Sequence, residues 1–282
     1  MSQMDVNQQI ENSLNGDKVA LEQLLLDVQD LIFNLSLRML GSISDAENAT
    51  QDILIKVMTS LSSFRKECAF STWVYRVATN YLINYKKSMF AKHPLSFDFY
   101  GNDIQKGYID NYSVDLKAVD EDLLAEELKL SCTNVMLQCL DPESRCIFIL
   151  GTMFKLDSRI AGDILGIRAD HYRQKLSRTR KKMAEFLSCY CGLSKTGACN
   201  CKKRIGYAIK SHRLNPLKLE YSGLEQLEEN LLVTYTEKME TIDDLSTIFD
   251  NTIKYKSPSA AKAFIKAFLK SEEMKFIQNI IV

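Results

Sequence analysis

Long stretches of helical hydrophobic periodicity, broken by very few chain breakers, constrain this sequence more than any other feature. Leu21, Leu24, Leu25, Val28, Leu31, Ile32, Leu35 and Leu40 recur at the spacing of one helical face, and Gly41 stands where such a helix would stop. The 282 residues include only four prolines and eleven glycines, too few for the turns of an all-β fold. A chain of this length accommodates one large domain or two small ones. No apolar run reaches the ~18 residues of a membrane span, and the opening MSQMDVNQQIENSLNGDK has no signal-peptide core. The expectation is a cytoplasmic protein with no membrane insertion.

A formal net charge of zero conceals strong segregation. Residues 66–97 carry 5 Lys/Arg against 1 Asp/Glu, and residues 166–213 carry 13 against 2. The stretches before, between and after these two islands are acidic. Two basic islands suit two separate contacts with a polyanion, although a charge run is in general only a solvated face.

The second helical segment starts at Ser44, with Glu47 completing a capping box. Along it Ala46, Ala49, Ile53, Val57 and Leu61 form an apolar stripe, while Asp45, Glu47, Asp52 and Lys56 lie on or beside the other face. A polar stretch, 62–68, leads into a third helix from about Ser71 to Lys87. Its Trp73, Val77 and Tyr81 at helical spacing read as core, with Arg76, Asn80, Lys86 and Lys87 elsewhere on the helix. Periodicity fades from Ser88 to about Asp120, a stretch too long for an ordinary loop. It returns at Glu121–Leu140, and Asp141-Pro142-Glu143 is a strong helix start.

The most informative stretch is MFKLDSRIAGDILGIRADHYRQKLSRTRKKMAEFL, residues 153–187. Ser158–Leu165 reads as a short helix with Ile160, Ala161, Ile164 and Leu165 inward, and small Ala161 allows close approach. Gly166 supplies the positive φ of a helix-turn-helix corner, and Ile167 plugs it. A second helix from Ala169 turns Tyr172, Leu176 and Met183 inward. It turns Arg173, Gln174, Lys175, Arg178, Arg180, Lys181 and Lys182 outward. Such a helix enters the major groove. Arginine and glutamine there match guanine and adenine edges, while lysines further along hold phosphates.

The segment IAGDILGIRADHYRQKLSRTRKKM resembles the promoter-reading domain of extracytoplasmic-function sigma factors of bacterial RNA polymerase. The block LIFNLSLRMLGSISDAENATQDILIKVMTSLSSFRKECAFSTWVYRVATNYLINYKKS, 31–88, resembles their other domain. Asn48, Asp52 and Leu54 depart from the residues commoner in that family, as do Arg168, Asp170 and His171. The resemblance implies an all-α protein of two helical domains joined by an acidic linker. Residues 1–90 would bind core polymerase and the upstream melted strand, 91–120 would be the linker, and 121–188 would read the promoter. Residues 189–282 would form a helical extension. The resemblance implies that Asp45, Glu47, Gln51 and Asp52 dock on the clamp helices of the largest polymerase subunit. It also implies that the segment from Phe64 to Lys87, with Arg76, Asn80, Lys86 and Lys87, captures the melted strand. Aromatic platforms flanked by cations suit single-stranded DNA, and a flipped base needs a pocket.

Eight cysteines without a secretion signal imply reduced thiols or metal rather than a disulfide framework. Cys189, Cys191, Cys199 and Cys201 form two Cys-x-Cys pairs that could close a tetrahedral zinc site, with His212 as a substitute ligand. The adjoining Lys202, Lys203 and Arg204 should lower the thiol pKa values. A redox role and unliganded thiols remain alternatives. Cys191-Gly192-Leu193, Cys199-Asn200-Cys201-Lys202-Lys203 and Asn215-Pro216 resemble an extension found in a subset of these sigma factors. Beyond it, Ala261, Phe264, Ile265, Phe268 and Leu269 form one face of an amphipathic module that would cover the DNA-reading domain or bind a regulator such as an anti-sigma factor.

Three function classes compete. The first is a sigma factor whose partners are core polymerase and promoter DNA, with no cofactor required. The second is a helix-turn-helix transcription regulator with a C-terminal zinc or redox sensing module. The 31–88 block favours the first, because a plain regulator needs no clamp-binding helix. An enzyme is the third and is not expected: no phosphate loop, His-Glu-x-x-His motif or nucleophile constellation is present.

Overall fold

The structure is a computed structural model that describes residues 3–92, 95–109, 120–194, 196–227, 249 and 253–271. Among these residues the fold is all-α, without a β-sheet. The chain divides into two compact units. One comprises residues up to Asn84 together with those from Lys254 on, and the other runs from Tyr85 to Ile253.

In the first unit, α1 (Gln3–Leu14) packs on α2 (Lys18–Leu40), which pairs with α3 (Ile43–Thr59). The Asp17 carboxylate accepts from the amides of Val19 and Ala20, and Gly41 ends α2 at φ 78°, a conformation that costs glycine nothing. The cap of α3 differs from expectation. Ser42, not Ser44, accepts the Asp45 amide, so the helix starts at Ile43. The glycine stop leaves Ser42 extended, which is the backbone an N-cap needs. Leu24, Ile32, Leu35, Ala46, Ile53, Val57, Val74, Ala78 and Leu82 are buried in this unit. The third helix of the expectation is α4 (Phe70–Lys92), longer at both ends.

The second unit contains α5 (Phe97–Ile109), α6 (Glu121–Gln138), α7 (Pro142–Phe148), α8 (Ser158–Leu165), α9 (Ala169–Tyr190) and α10 (Cys201–Lys210). The stretch expected as a bare acidic linker contains α5, which packs on α9 and α10. Residues 110–119 of it lie outside the described residues. Stacking explains the helix: Phe97 and Tyr100 meet Phe186 at 5.0 and 5.9 Å between ring centres. Its buried Asp103 accepts from Tyr207 at 2.7 Å and from Arg213, and faces Arg204 at 3.5 Å. Burial by itself would raise the Asp103 pKa. Hydrogen bonds from Arg213 and Tyr207, with the charges of both arginines, outweigh that and leave the carboxyl below the usual range.

The extension does not behave as one body. Its first helix, α10, belongs to the second unit, where Ile205, Ala208 and Leu214 join Leu124 and Leu128 of α6 in one apolar cluster. Glu127, also on α6, is buried and receives the amides of Glu220, Tyr221 and Ser222 at 2.6–2.9 Å. Its last described helix, α11 (Ser259–Phe268), belongs to the first unit and packs on α2 and α3. Ala261, Ile265 and Leu269 are buried there, as the expected apolar face requires, and Phe264 stacks on Phe268 at 5.6 Å. Residues 228–248 and 272–282 lie outside the described residues.

Candidate nucleic-acid interface

A short helix, a glycine corner and a long basic helix make the hairpin of α8 and α9. Asp157 caps α8 through the Arg159 amide at 2.8 Å, and Gly166 closes the corner at φ 67°. Close approach depends on Gly162 rather than on Ala161 alone. A Cβ at Gly162 would lie 2.7 Å from the Ile167 carbonyl oxygen, within the turn itself. Ala161 is fully buried beside it, whereas Ile167 is only half-buried.

The inner face of α9 is fixed by Tyr172, whose hydroxyl donates to the Ile147 carbonyl at 3.0 Å, and by Leu176 and Met183. Burial pushes the Tyr172 hydroxyl well above its usual pKa, so it stays protonated and donating. Gly151 makes room: a Cβ there would strike Leu176 and the Tyr172 hydroxyl.

On the outer face Arg173, Gln174, Arg178, Lys181 and Lys182 are exposed, as expected. Arg173 Nη1 donates to Ser158 Oγ at 3.1 Å, which aims the guanidinium from the first helix of the hairpin. Lys182 sits 5.2 Å from the Phe97 ring centre. Two outward expectations fail. Arg180 turns inward, giving Nε to Thr152 Oγ1 at 3.0 Å and Nη2 to the Gly151 carbonyl at 3.2 Å. Those groups belong to a π-helical turn at Ile149–Met153, where carbonyls are freed from the regular ladder. Lys175 is half-buried and paired with Glu143. The exposed set on this face is therefore Arg173, Gln174 and Arg178, with Lys181 and Lys182 further along.

In the first unit, α3 presents Asn48, Asp52 and Lys56 exposed, with Asp45, Glu47 and Gln51 half-buried beside them. Tyr81 of α4 donates its hydroxyl to Asp52 Oδ2 at 2.5 Å, and Lys56 Nζ lies 5.7 Å from the Tyr81 ring centre. Asp52 thus also ties α3 to α4. On α4, Arg76 and Asn80 are exposed, while the side chains of Lys86 and Lys87 lie outside the described residues. Phe64, expected among the residues that capture the melted strand, is not open to a strand. It is buried, 5.5 Å from Phe70 and 5.6 Å from Trp73 between ring centres. Loop residues Arg65, Lys66 and Glu67 are exposed instead, on a frame that this aromatic cluster holds.

The chain is similar to known proteins. Residues 24–89 match the family described as sigma-70 region 2. The chain is 26% identical over 190 residues to the ECF RNA polymerase sigma factor SigW of Bacillus subtilis, covering 66% of this chain and 98% of that protein. It is 24% identical over 187 residues to the RNA polymerase sigma-H factor of Pseudomonas aeruginosa, covering 66% of this chain and 96% of the relative. Identity to the ECF RNA polymerase sigma-E factor of Haemophilus influenzae is 30% over 120 residues, 43% of this chain and 62% of that one. These matches support an extracytoplasmic-function sigma factor. The first two relatives match almost end to end, so about a third of this chain lies outside either match.

The cysteine loop is tightly made. A Cβ at Gly192 would run into the Cys199 carbonyl and one at Gly197 into the Cys191 backbone, so the two Cys-x-Cys segments lie against each other. Ser194 Oγ donates into the end of α9, to the Leu187 carbonyl at 2.9 Å. Cys189 is exposed, while Cys191, Cys199 and Cys201 are half-buried. Among the described residues no group of three or more His, Cys, Asp or Glu side chains is placed to hold a metal ion. The expected fall in thiol pKa is reversed. Burial pushes Cys199 up to about 12 and Cys201 to about 11, more than Arg204 pulls them down. Cys132 of α6, absent from the expected set, joins these thiols electrostatically and donates nothing to the loop motif in sequence.

Among the described residues no helix is long and apolar enough to cross a membrane.

Proposed function

We propose that this sigma factor binds RNA polymerase core through its first unit and directs promoter recognition, DNA melting and transcription initiation. The observation that carries the reading is the union, on one chain, of a region-2 match and a helix-turn-helix whose outer face is exposed and basic. The alternative, a regulator with a sensing module, leaves the region-2 match without a use. The reading calls for no catalytic group and no cofactor.

In this reading the acidic edge of α3 faces the core enzyme. Asp45, Glu47, Gln51 and Asp52 pair with basic groups on the clamp helices of the largest subunit. Arg76 and Asn80 on α4, with Arg65 and Lys66 on the preceding loop, take the displaced strand once the duplex opens. The positive loop attracts its phosphates and Asn80 supplies paired donor and acceptor for a base edge. Promoter sequence is read upstream by α9, where Arg173 and Gln174 reach base edges. The Ser158 contact holds Arg173 extended before DNA arrives, so less side-chain freedom is lost on binding. Lys181 and Lys182 set register by holding phosphates.

Size-exclusion chromatography with purified bacterial core polymerase tests the assignment. The wild-type chain should co-elute with core. Asp45→Lys combined with Glu47→Lys should separate from it while keeping its helical circular dichroism, since neither residue is fully buried. Undiminished co-elution of that variant would place the interface elsewhere.

A further inference from the structure

The helix α2 carries a polar stripe among its buried residues. Asp30, Asn34 and Arg38 stand at four-residue intervals, which puts them along one face of the helix. Asn34 and Arg38 are almost completely buried among apolar side chains of α2 such as Leu31, Ile32, Leu35 and Leu37, and Asn34 Nδ2 also donates to the Asp30 carbonyl at 2.8 Å. Burying such groups is costly unless each finds partners of the right geometry. Further partners come from the far end of the chain.

Asn34 treats the backbone of Tyr255 as a strand would. Its Nδ2 donates to the Tyr255 carbonyl at 2.7 Å and its Oδ1 accepts the Tyr255 amide at 2.9 Å. Four residues on, Arg38 lies under the Tyr255 ring at 5.8 Å, and Tyr255 is fully buried. Four residues back, Asp30 Oδ1 accepts the Ser257 amide at 2.6 Å. Eight further back, Glu22 meets Lys266 at 3.9 Å. Residues 255–266 therefore run antiparallel along α2, with α11 laid on both α2 and α3. Pro258 starts α11 immediately after the strap, fixing the turn from extended chain to helix. A bidentate amide pair, a stacked cation and a carboxylate–amide contact in register make this a shaped receptor rather than an incidental apolar contact.

We propose that this α2 stripe is a docking surface for the chain's own residues 255–266, and that the docked segment competes with polymerase core for the α2–α3 surface. The proposal rests on the core-binding role given to α3 above. Its physical basis is that α11 rests on the same helix that carries Asp45, Glu47, Gln51 and Asp52. The relatives matching over two thirds of this chain account for the sigma-factor body without a further third. A cis occupant lowers apparent affinity by the fraction of molecules in which the surface is open. The occupant is held by a few specific contacts at Tyr255 and Ser257, so core can displace it as a unit.

The test uses the full-length chain and leaves α2 and α3 untouched. Tyr255→Ala combined with Ile265→Glu removes the buried ring and charges the buried face of α11. Core polymerase should bind this variant about tenfold more tightly than wild type, the factor expected if the open form is about a tenth of the population. Hydrogen exchange supplies a second readout on the wild type alone. The amides of Tyr255 and Ser257 should be protected in the free protein and lose protection in the core complex. Equal or weaker core affinity of the variant, or amides that stay protected in the complex, would overturn the competition and leave the polymerase assignment standing. Failure of both proteins to bind core would overturn that assignment and this proposal together.

Discussion

Arg38 and Arg145 are both sealed from solvent, one in each unit, and the two are satisfied in different ways. Arg145 on α7 reaches back only five to eight residues. Its Nε donates to the Leu137 carbonyl at 2.7 Å, and its other nitrogens to the carbonyls of Gln138 and Leu140 and to Gln138 Oε1 at 2.7–3.0 Å. These are the orphan acceptors at the end of α6, so the guanidinium serves as a C-terminal cap. Arg38 instead lies beneath a tyrosine 217 positions later in the chain. Arg145 is thus satisfied by its sequence neighbours, whereas Arg38 meets a residue from the extension. The first arrangement is expected to be obligatory for folding, and the second, under the docking proposed above, to be undone without unfolding what lies beneath it.

The largest effect expected from this contrast is at Arg145. Replacing it with Met keeps the volume but leaves several buried carbonyls without a donor. The loss should be about 3–5 kcal/mol, the scale for breaking a buried charged partnership. Urea unfolding followed by circular dichroism measures it, and a loss within ~1 kcal/mol would remove the capping role. Burial lowers the Arg145 pKa to about 10, so its charge survives throughout the neutral range.

Next in size is Tyr255→Ala, expected to weaken docking of the strap by about 3 kcal/mol, the usual scale for removing a buried aromatic ring. Hydrogen exchange should localise the change to residues 255–269 and the facing stripe of α2. Global loss of protection in α3 and α4 would show that the extension is as obligatory as Arg145 and erase the contrast.

At the DNA-reading face, Arg173→Ala and Gln174→Ala should each change base preference at one upstream promoter position by about 1–3 kcal/mol. Lys181→Ala should weaken all sequences alike and reduce the salt slope by about one. Binding measured on a panel of promoter variants at several salt concentrations separates the two behaviours. If all three variants behaved the same way, the orientation of α9 would be wrong.

A smaller, pH-dependent effect is expected at Asp103, which joins α5 to Tyr207 and Arg213 more than a hundred positions away. Its folded pKa lies below the unfolded one, so its stabilisation is complete above the ordinary aspartate range near ~4. It is lost as pH falls through the lower folded value. Asp103→Asn should flatten the acid limb of the stability profile of the second unit and leave the neutral plateau lower. An acid limb identical to wild type would assign the transition to other carboxylates.

The contrast between the arginines also explains what could be read in advance. The hairpin is legible in the sequence because each device in it is local: Asp157 caps α8, Gly166 turns the corner, and Tyr172, Leu176 and Met183 repeat at helical spacing. Gly162 escapes notice because its neighbour Ala161 satisfies the same pattern, and only the turn's carbonyl shows which position has no room. Arg180 and Lys175 carry the right charge on the right helix, but a π-turn and Glu143 draw them in. The π-turn leaves no periodic trace. Phe64 reads as a strand contact because a polar loop surrounds it, while Phe70 and Trp73 enclose it in space. Helix α5 is hidden by acidic residues and glycines whose partners, Tyr190, Arg204 and Tyr207, lie about ninety or more positions downstream. Asn34 and Arg38 pass unremarked within LIFNLSLRML, because the contacts that single them out come from Tyr255, more than two hundred positions later.

Promoter-dependent run-off transcription with purified bacterial core polymerase tests the central assignment most directly. Core alone should give no specific transcript from templates carrying a promoter for this factor, and adding the full-length chain should produce one defined run-off product. Substituting Arg173 should shift which upstream sequences support that product. A chain that binds core yet never yields a defined start, on a template library covering all upstream and downstream promoter elements, would contradict the assignment.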